Sequence, residues 1–260
     1  MYHFFVSPDM VDEVLGTVTI TGSDVNHIRN VLRMKSGDEL LLSDGQGHDY
    51  HCVIAEDSTS SESRRAGADA EVVCDIVSGA SSLAEPSVKF YLFQGLPKAD
   101  KFEHIIQKAV ELGAFEIIPV KTARSIVKYD DKKARAKTER WQKIAESAAK
   151  QSRRGIIPVV REIMSFKEAV AFASEGEERL SMNIIPYENF KDMKATRDIL
   201  QGIGPGMSVG IFVGPEGGFE EEEVSLANAA GIQCISLGNR ILRTETAPLM
   251  LLSVLTFRLE

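Results

Sequence analysis

Two short segments near the carboxyl end carry residue types whose spacing suits chemistry. Gly214-Pro215-Glu216-Gly217-Gly218-Phe219 follows the apolar run Val209–Val213. Leu237-Gly238-Asn239-Arg240-Ile241-Leu242-Arg243-Thr244-Glu245-Thr246-Ala247 leads into a second apolar run. Glycines around a proline let a backbone approach a flat ligand closely, with N–H and C=O groups free to bond it. Glu220-Glu221-Glu222-Glu223 comes next, and acid in a first helical turn suits the helix dipole while discouraging a phosphate there. With neither Gly-Lys-Ser/Thr nor G-x-G-x-x-G spacing, this is not a P-loop or a dinucleotide fingerprint. A plain strand-to-helix turn stays open as the bland alternative. In the second segment, Arg240, Arg243 and Glu245 lie between apolar elements and need partners. One reading is an internal Arg–Glu pair with N-capping by Thr244 or Thr246. The other is a part in chemistry.

Loops of this kind sit at the carboxyl ends of parallel strands, and the pattern from Val88 onward supplies such strands. Val88–Phe93, Glu116–Val120, Arg179–Ile185, Ser208–Val213 and Gln233–Leu237 read as strands. Between and after them, helices are expected at Ala99–Leu112, Lys132–Gln151, Asn189–Leu200, Glu220–Ala230 and Ala247–Leu259. The first shows Phe102, Ile105, Ile106 and Ala109 on one face and closes at Gly113. Pro248 falls in the first turn of the last helix, where its missing N–H costs nothing. Alternation of this kind predicts an α/β domain with a mostly parallel sheet.

The preceding part reads differently. Tyr2–Val6, Thr17–Ile20, Glu39–Ser43, Tyr50–Ala55 and Ala70–Val77 are short strands separated by turn formers. Tyr50, Cys52 and Ile54 alternate with His51 and Val53, as in a sheet with one buried face. One helix interrupts, with Ser23 as expected N-cap, Val25, Ile28 and Leu32 on its buried side, and His27 and Arg33 nearer solvent. Several strands with one helix predict a small β-barrel over residues 1–77. A serine-rich loop (57–69) lies inside it, 78–87 serves as linker, and 88–260 forms the larger domain.

The chain has 260 residues, 43% hydrophobic and 26% charged, which fits globular domains with ordinary cores. No apolar run reaches the length of a membrane span, and the first residues lack a basic leader with a long apolar core. Three scattered cysteines show no zinc spacing, so no metal is expected, and a reducing cytoplasm fits them. The net charge is −8, which by itself argues against nucleic acid. Its distribution argues otherwise. Twelve Lys/Arg stand against four Asp/Glu between Lys121 and Arg154, a local +8 that leaves −16 on the remainder. Such a stretch can hold a phosphate backbone, and a solvated, charge-laced helix face is the competing reading.

Taken together, these motifs resemble those of the SPOUT methyltransferases, and more narrowly the ribosomal RNA small subunit methyltransferase E family. The resemblance rests on the two glycine-bearing loops and on three further blocks in the same order. These are His27-Ile28-Arg29-Asn30-Val31-Leu32-Arg33-Met34 with Gly37; Lys98 through Lys101 with Ile106, Lys108 and Glu111-Leu112-Gly113; and Gln151-Ser152-Arg153-Arg154 with Pro158. The serine-rich loop is longer than the family pattern requires.

The resemblance implies a PUA-like barrel followed by a SPOUT-type parallel sheet with a C-terminal trefoil knot, which no periodicity in the chain reveals. It implies S-adenosylmethionine as cofactor, held by Ile185, Gly214, Pro215, Glu216, Gly217, Gly218, Leu237, Gly238 and Leu242. Methyl transfer to N3 of a uridine in 16S rRNA is the implied reaction, with the assembled small ribosomal subunit as substrate and a homodimer formed through the knotted domain. On chemical grounds Arg243 is expected to stabilise the deprotonated base, and Glu245 to orient Arg243 or accept the proton. His27, Arg29 and Arg33 on the barrel, with Arg124, Arg153 and Arg154 on the larger domain, are expected to face RNA. The target base is expected to leave its stack. Two rivals remain: a SPOUT enzyme acting on another RNA, such as tRNA, and a non-catalytic RNA-binding ribosome assembly factor.

Overall fold

The computed structural model describes residues 1–56, 58, 71–127, 129–177 and 179–260. Apart from Ser58, the expected serine-rich loop lies outside the described residues. The chain divides into two units, Met1–Glu85 with Arg153–Ile157, and Pro86–Ser152 with Pro158–Glu260.

In the first unit, β1 (Tyr2–Phe5), β2 (Val11–Asp12), β3 (Thr17–Ile20), β4 (Glu39–Ser43), β5 (His48–Ile54) and β6 (Val72–Ser81) form one sheet. Their spatial order is β1-β4-β5-β6-β3-β2, with β1 and β4 parallel and the other neighbours antiparallel. Alternation buries Val18, Ile20, Leu40, Leu42, Cys52, Ile54, Val72 and Cys74 in one cluster. Burial pushes the Cys52 and Cys74 thiols up to about 12, so both act as small hydrophobes. The stretch 78–87 is not all linker. Ser78–Ser81 completes β6 by pairing with β5, where Tyr50 faces Gly79 and His48 faces Ser81.

Helix α1 (Ser23–Asn26) runs on into a π-helical turn, His27–Val31, closed by Leu32 N–H donating to His27 O at 2.9 Å. Gly22, with φ 70°, holds the N-cap position, and Ser23 is the first helical residue. Val25 and Ile28 are buried as expected, and so is Arg29. Its position four residues after Val25 puts it on the same face.

In the second unit every strand pair is parallel. The strands are β7 (Lys89–Gly95), β8 (Ala114–Lys121), β9 (Val159–Val160), β10 (Met164–Ser165), β11 (Met182–Pro186), β12 (Ser208–Val213) and β13 (Gln233–Ile235). Their order is β10-β8-β7-β12-β11-β13, with β9 also on β8. The helices are α2 (Lys101–Glu111), α3 (Asp131–Ser152), α4 (Phe166–Ser174), α5 (Met193–Gln201), α6 (Glu221–Ala229) and α7 (Ala247–Leu259). Phe102, Ile105, Ile106 and Ala109 of α2 are buried, and Trp141 of α3 packs on Phe102 with ring centroids 4.4 Å apart. Trp141 is 1% exposed, a packing anchor and not a stacking platform.

Helix α4 was not expected from the periodicity. Its signal is local: Ser165 and Glu168 form a reciprocal capping box ahead of Phe166, Ala169, Val170 and Ala173, all buried. The sequence direction of the sheet reverses between β7 and β12, which are hydrogen-bonded neighbours. Ligands of open parallel sheets bind outside strand ends at such a reversal. No described helix is long and apolar enough to cross a membrane.

Candidate functional site

The loops leaving β11, β12 and β13 surround a cavity of about 430 Å³, a size suited to a small organic ligand. Gly214, Pro215, Glu216, Gly217 and Gly218 line it from β12, and Leu237, Gly238 and Leu242 from the segment after β13. Ile185 does not line it. That side chain is fully buried in the sheet, and the next residues, Pro186 and Tyr187, reach the cavity instead. Alternation along the strand accounts for the shift of one residue. Tyr187, Lys191 and Asn239 also face the cavity. Asn239 belongs to the segment singled out above, whereas Tyr187 and Lys191 sit in an ordinary polar loop that no sequence signal distinguished.

The glycine loop is shaped by close packing. A Cβ on Gly95 would stand 2.6 Å from Pro215 Cδ, so only glycine at the end of β7 admits this loop. A Cβ on Gly214 would meet the Gly218 backbone at 3.0 Å. A buried polar network joins the two loops: Thr244 Oγ1 donates to Gly214 O at 2.8 Å and accepts from Gln94 Nε2 at 3.0 Å. Thr244 therefore does not N-cap α7; Thr246 holds the N-cap position, without a side-chain capping bond. Arg124 Nη1 donates to Gly217 O at 2.8 Å, which ties this expected RNA contact to the glycine loop. At the start of α6, Glu220 and Glu223 cap each other, and Glu223 also accepts from Ala123 N–H at 2.9 Å. These carboxylates fill the place a phosphate would need.

One edge of the cavity is ionic. Lys101, in the first turn of α2, places Nζ 3.2 Å from Glu216 Oε1 and 3.2 Å from Glu245 Oε2. Glu216 also accepts from Lys98 N–H. Arg243 lines the cavity with an 81% exposed side chain, 4.0 Å from Glu245. The closest cation to Glu245 is thus Lys101, where the sequence suggested Arg243. Both carboxylates hold the lysine proton, so the Lys101 ammonium stays above its ordinary range. Burial pushes Glu245 upward, but its own backbone N–H and then Lys101 bring it below the usual glutamate range. Glu216 is lowered in the same way, against burial, by its backbone N–H, Lys101 and Lys98.

The other expected RNA residues lie in the first unit. His27, Arg33 and Arg153 are exposed. Arg33 and Arg153 have left-handed backbones, with φ 56° and 57°. Arg29 and Arg154 are corrections. Arg29 is 8% exposed and its Nη2 donates to Ser58 O at 2.7 Å and Glu71 O, joining chain on either side of residues 59–70. Arg154 is 2% exposed and forks onto Glu85, which also accepts from Gly155 and Ile156 N–H. Both guanidiniums are spent on internal acceptors. Among the described residues, no cluster of three or more metal-ligating side chains occurs.

Comparison with known proteins agrees with this geometry. A family model described as RNA methyltransferase domain matches residues 84–256, and one described as RNA methyltransferase PUA domain matches residues 20–61. Ribosomal RNA small subunit methyltransferase E of Bacillus subtilis is 40% identical over 248 residues, 94% of this chain and 91% of that protein. The protein of the same description from Synechocystis is 33% identical over 100% of this chain and 78% of its own length. A crystal structure of the Neisseria gonorrhoeae methyltransferase E bound to S-adenosyl methionine matches with TM-score 0.77 and 30% identity, over 99% of this chain and 98% of that one.

Proposed function

The chain belongs to the ribosomal RNA small subunit methyltransferase E family, and on that premise we propose that it methylates N3 of one uridine in 16S rRNA, using S-adenosylmethionine. The observation that carries this reading is the cavity at the reversal of the sheet, walled by glycines and leucines and edged by Lys101 and Arg243, with Glu245 paired to Lys101. Its fit to the cofactor rests on the close-packed glycine loop, whose backbone groups can bond a flat adenine, and on Leu237 and Leu242 beside it. Gly214–Gly218, Leu237, Gly238 and Leu242 are the residues assigned to hold it. The bound cofactor supplies a methyl group on a positively charged sulfur.

The work left to this chain is alignment and removal of the acceptor's proton. N3 of uridine must lose a proton to react, and negative charge then spreads over the adjacent carbonyl oxygens. Arg243, exposed at the cavity, is assigned to stabilise that charge, and Glu245 to take the proton. The loop from Leu237 to Ala247 carries both, so acceptor chemistry and cofactor binding share one segment. In the family resemblance this is also the knotted segment.

For RNA, we assign His27, Arg33 and Arg153 of the first unit to phosphate contacts, leaving out Arg29 and Arg154 because both are buried. The substrate is taken to be the small ribosomal subunit in the cytoplasm. A homodimer is proposed through the second unit, since α7 exposes Met250, Val254 and Phe257 at helical spacing along one stripe. The test is transfer of labelled methyl from S-adenosylmethionine to unmodified small subunits, compared with tRNA, with light scattering on the same preparation to read the dimer. Transfer to tRNA alone would replace the substrate, and cofactor binding without transfer would favour an assembly factor.

A further inference from the structure

Lys101 touches both cavity loops with its charged end and belongs to neither. Its ammonium lies 3.2 Å from Glu216 on the loop after β12 and 3.2 Å from Glu245 on the segment after β13. Its own backbone starts α2, at the end of the loop that leaves β7. That β7–α2 loop is itself fixed on the glycine loop: Gly95 packs on Pro215, and Lys98 N–H donates to Glu216. Ala99, at φ 54°, takes a left-handed turn between Lys98 and α2. A left-handed alanine costs on the order of 1 kcal/mol and persists only where its surroundings hold it.

The ionic edge is also shielded enough to matter. Side-chain exposure is 33% for Lys101, 31% for Glu216 and 21% for Glu245. Ion pairs at such depth are screened less than those on open surface. Glu245 faces Lys101 from α2, Arg243 from its own loop at the longer distance of 4.0 Å, and Glu216 across the shared lysine. Removing Lys101 would leave two carboxylates close together, with the mostly exposed Arg243 guanidinium 4.0 Å from Glu245. Like charges so placed favour protonation of one of them.

We propose that Lys101 is a positioning residue for the transfer: it pairs with Glu216 and Glu245 together, fixes the two cavity loops to α2, and keeps Glu245 ionised to receive the acceptor proton. This rests on the methyl-transfer reading above. The proton moves from N3 to a Glu245 carboxylate oxygen and passes on to water, while its electron pair stays on nitrogen. Lys101 itself gives up no proton and touches no reacting atom.

The experiment compares wild type, Lys101→Met and Lys101→Arg in two measurements. The first is the pH dependence of single-turnover methylation of small subunits. The second is a carboxyl-carbon NMR titration of the ligand-free protein, with the Glu245 resonance assigned by its loss in Glu245→Gln. Lys101→Met is expected to lower the rate about tenfold or more at neutral pH, and to move both the acid limb and the Glu245 titration to higher pH. Lys101→Arg is expected to return both toward wild type. A purely structural role would reduce the rate equally at every pH. An acid limb and a Glu245 titration that stay in place in a folded Lys101→Met protein overturn the proposal. If wild type methylates nothing, the methyl-transfer reading fails, while the NMR titration still decides whether Lys101 holds Glu245 ionised.

Discussion

Thr244 and Gly214, thirty residues apart, meet in a hydrogen bond of 2.8 Å from the threonine hydroxyl to the glycine carbonyl. The same hydroxyl accepts from Gln94 Nε2, so one buried oxygen joins the segment after β13, the loop after β12 and the end of β7. Thr244→Val keeps the shape but leaves Gln94 and Gly214 without that partner. A loss of about 1–3 kcal/mol in unfolding free energy is expected, together with weaker cofactor binding by calorimetry. Thr244→Ser keeps the hydroxyl and should recover most of both. A valine protein that binds cofactor like wild type would show that the two loops are held apart from this bond.

Gly95 tests the same assembly by steric means. Gly95→Ala would set its Cβ 2.6 Å from Pro215 Cδ and 2.7 Å from Pro215 N. The glycine loop must shift, at about 1–3 kcal/mol, and turnover should fall about 10²-fold through misplacement of the ligand. Gly204→Ala is the control, since its Cβ would meet nothing within 4 Å and its φ is outside the left-handed region. That change is expected to stabilise by about 0.4–1 kcal/mol. Thermal unfolding and turnover on both proteins check the pair.

Arg243 separates chemistry from structure. Its side chain is 81% exposed, so Arg243→Ala should change stability by about 0.5 kcal/mol or less. If it stabilises the charge that develops on the base, turnover falls about 10²- to 10³-fold while cofactor affinity holds. Unchanged turnover would remove Arg243 from the mechanism.

Two adjacent arginines should behave in opposite ways. Arg153→Gly relieves a left-handed backbone at φ 57° and should raise stability by about 0.4–1 kcal/mol. The same change should make the salt dependence of RNA binding shallower by about one ion. Arg154→Ala takes the buried guanidinium away from the half-buried Glu85 carboxylate and should cost about 3 kcal/mol. Its RNA affinity, measured where the protein is still folded, should match wild type.

What could be read from the chain and what could not divide along physical lines. β3, β4, β12 and α7 were legible within their observed bounds, because β3 alternates and the other three are apolar runs bounded by turn formers or, for α7, opened by Pro248. Helix α4 is nine residues long and its capping box carried more information than its period. The composition of 78–87 looked like linker because serine, glycine and alanine are small, yet Ser78–Ser81 pair along β5. Eight of the nine residues that the family resemblance assigned to the cofactor line the cavity. Ile185 stays in the sheet, and its neighbour Pro186 at the same strand end lines the cavity. Burial of Arg29 and Arg154 was invisible, because composition cannot say whether a guanidinium meets solvent or a carboxylate. The pairing of Lys101, which stands in one of the matching blocks, was hidden for a related reason: its two partners lie 115 and 144 residues away, joined by a sheet order that no local pattern encodes.

The central claim, that this cavity serves methylation of one uridine nitrogen in small-subunit rRNA, is tested most directly by identifying the product. Purified protein and S-adenosylmethionine are incubated with small subunits lacking the modification, and the digested 16S rRNA is read by mass spectrometry. N3-methyluridine is expected at a single site, absent with Arg243→Ala. A methyl group on another nucleoside, on tRNA only, or on no RNA at all despite bound cofactor would contradict it.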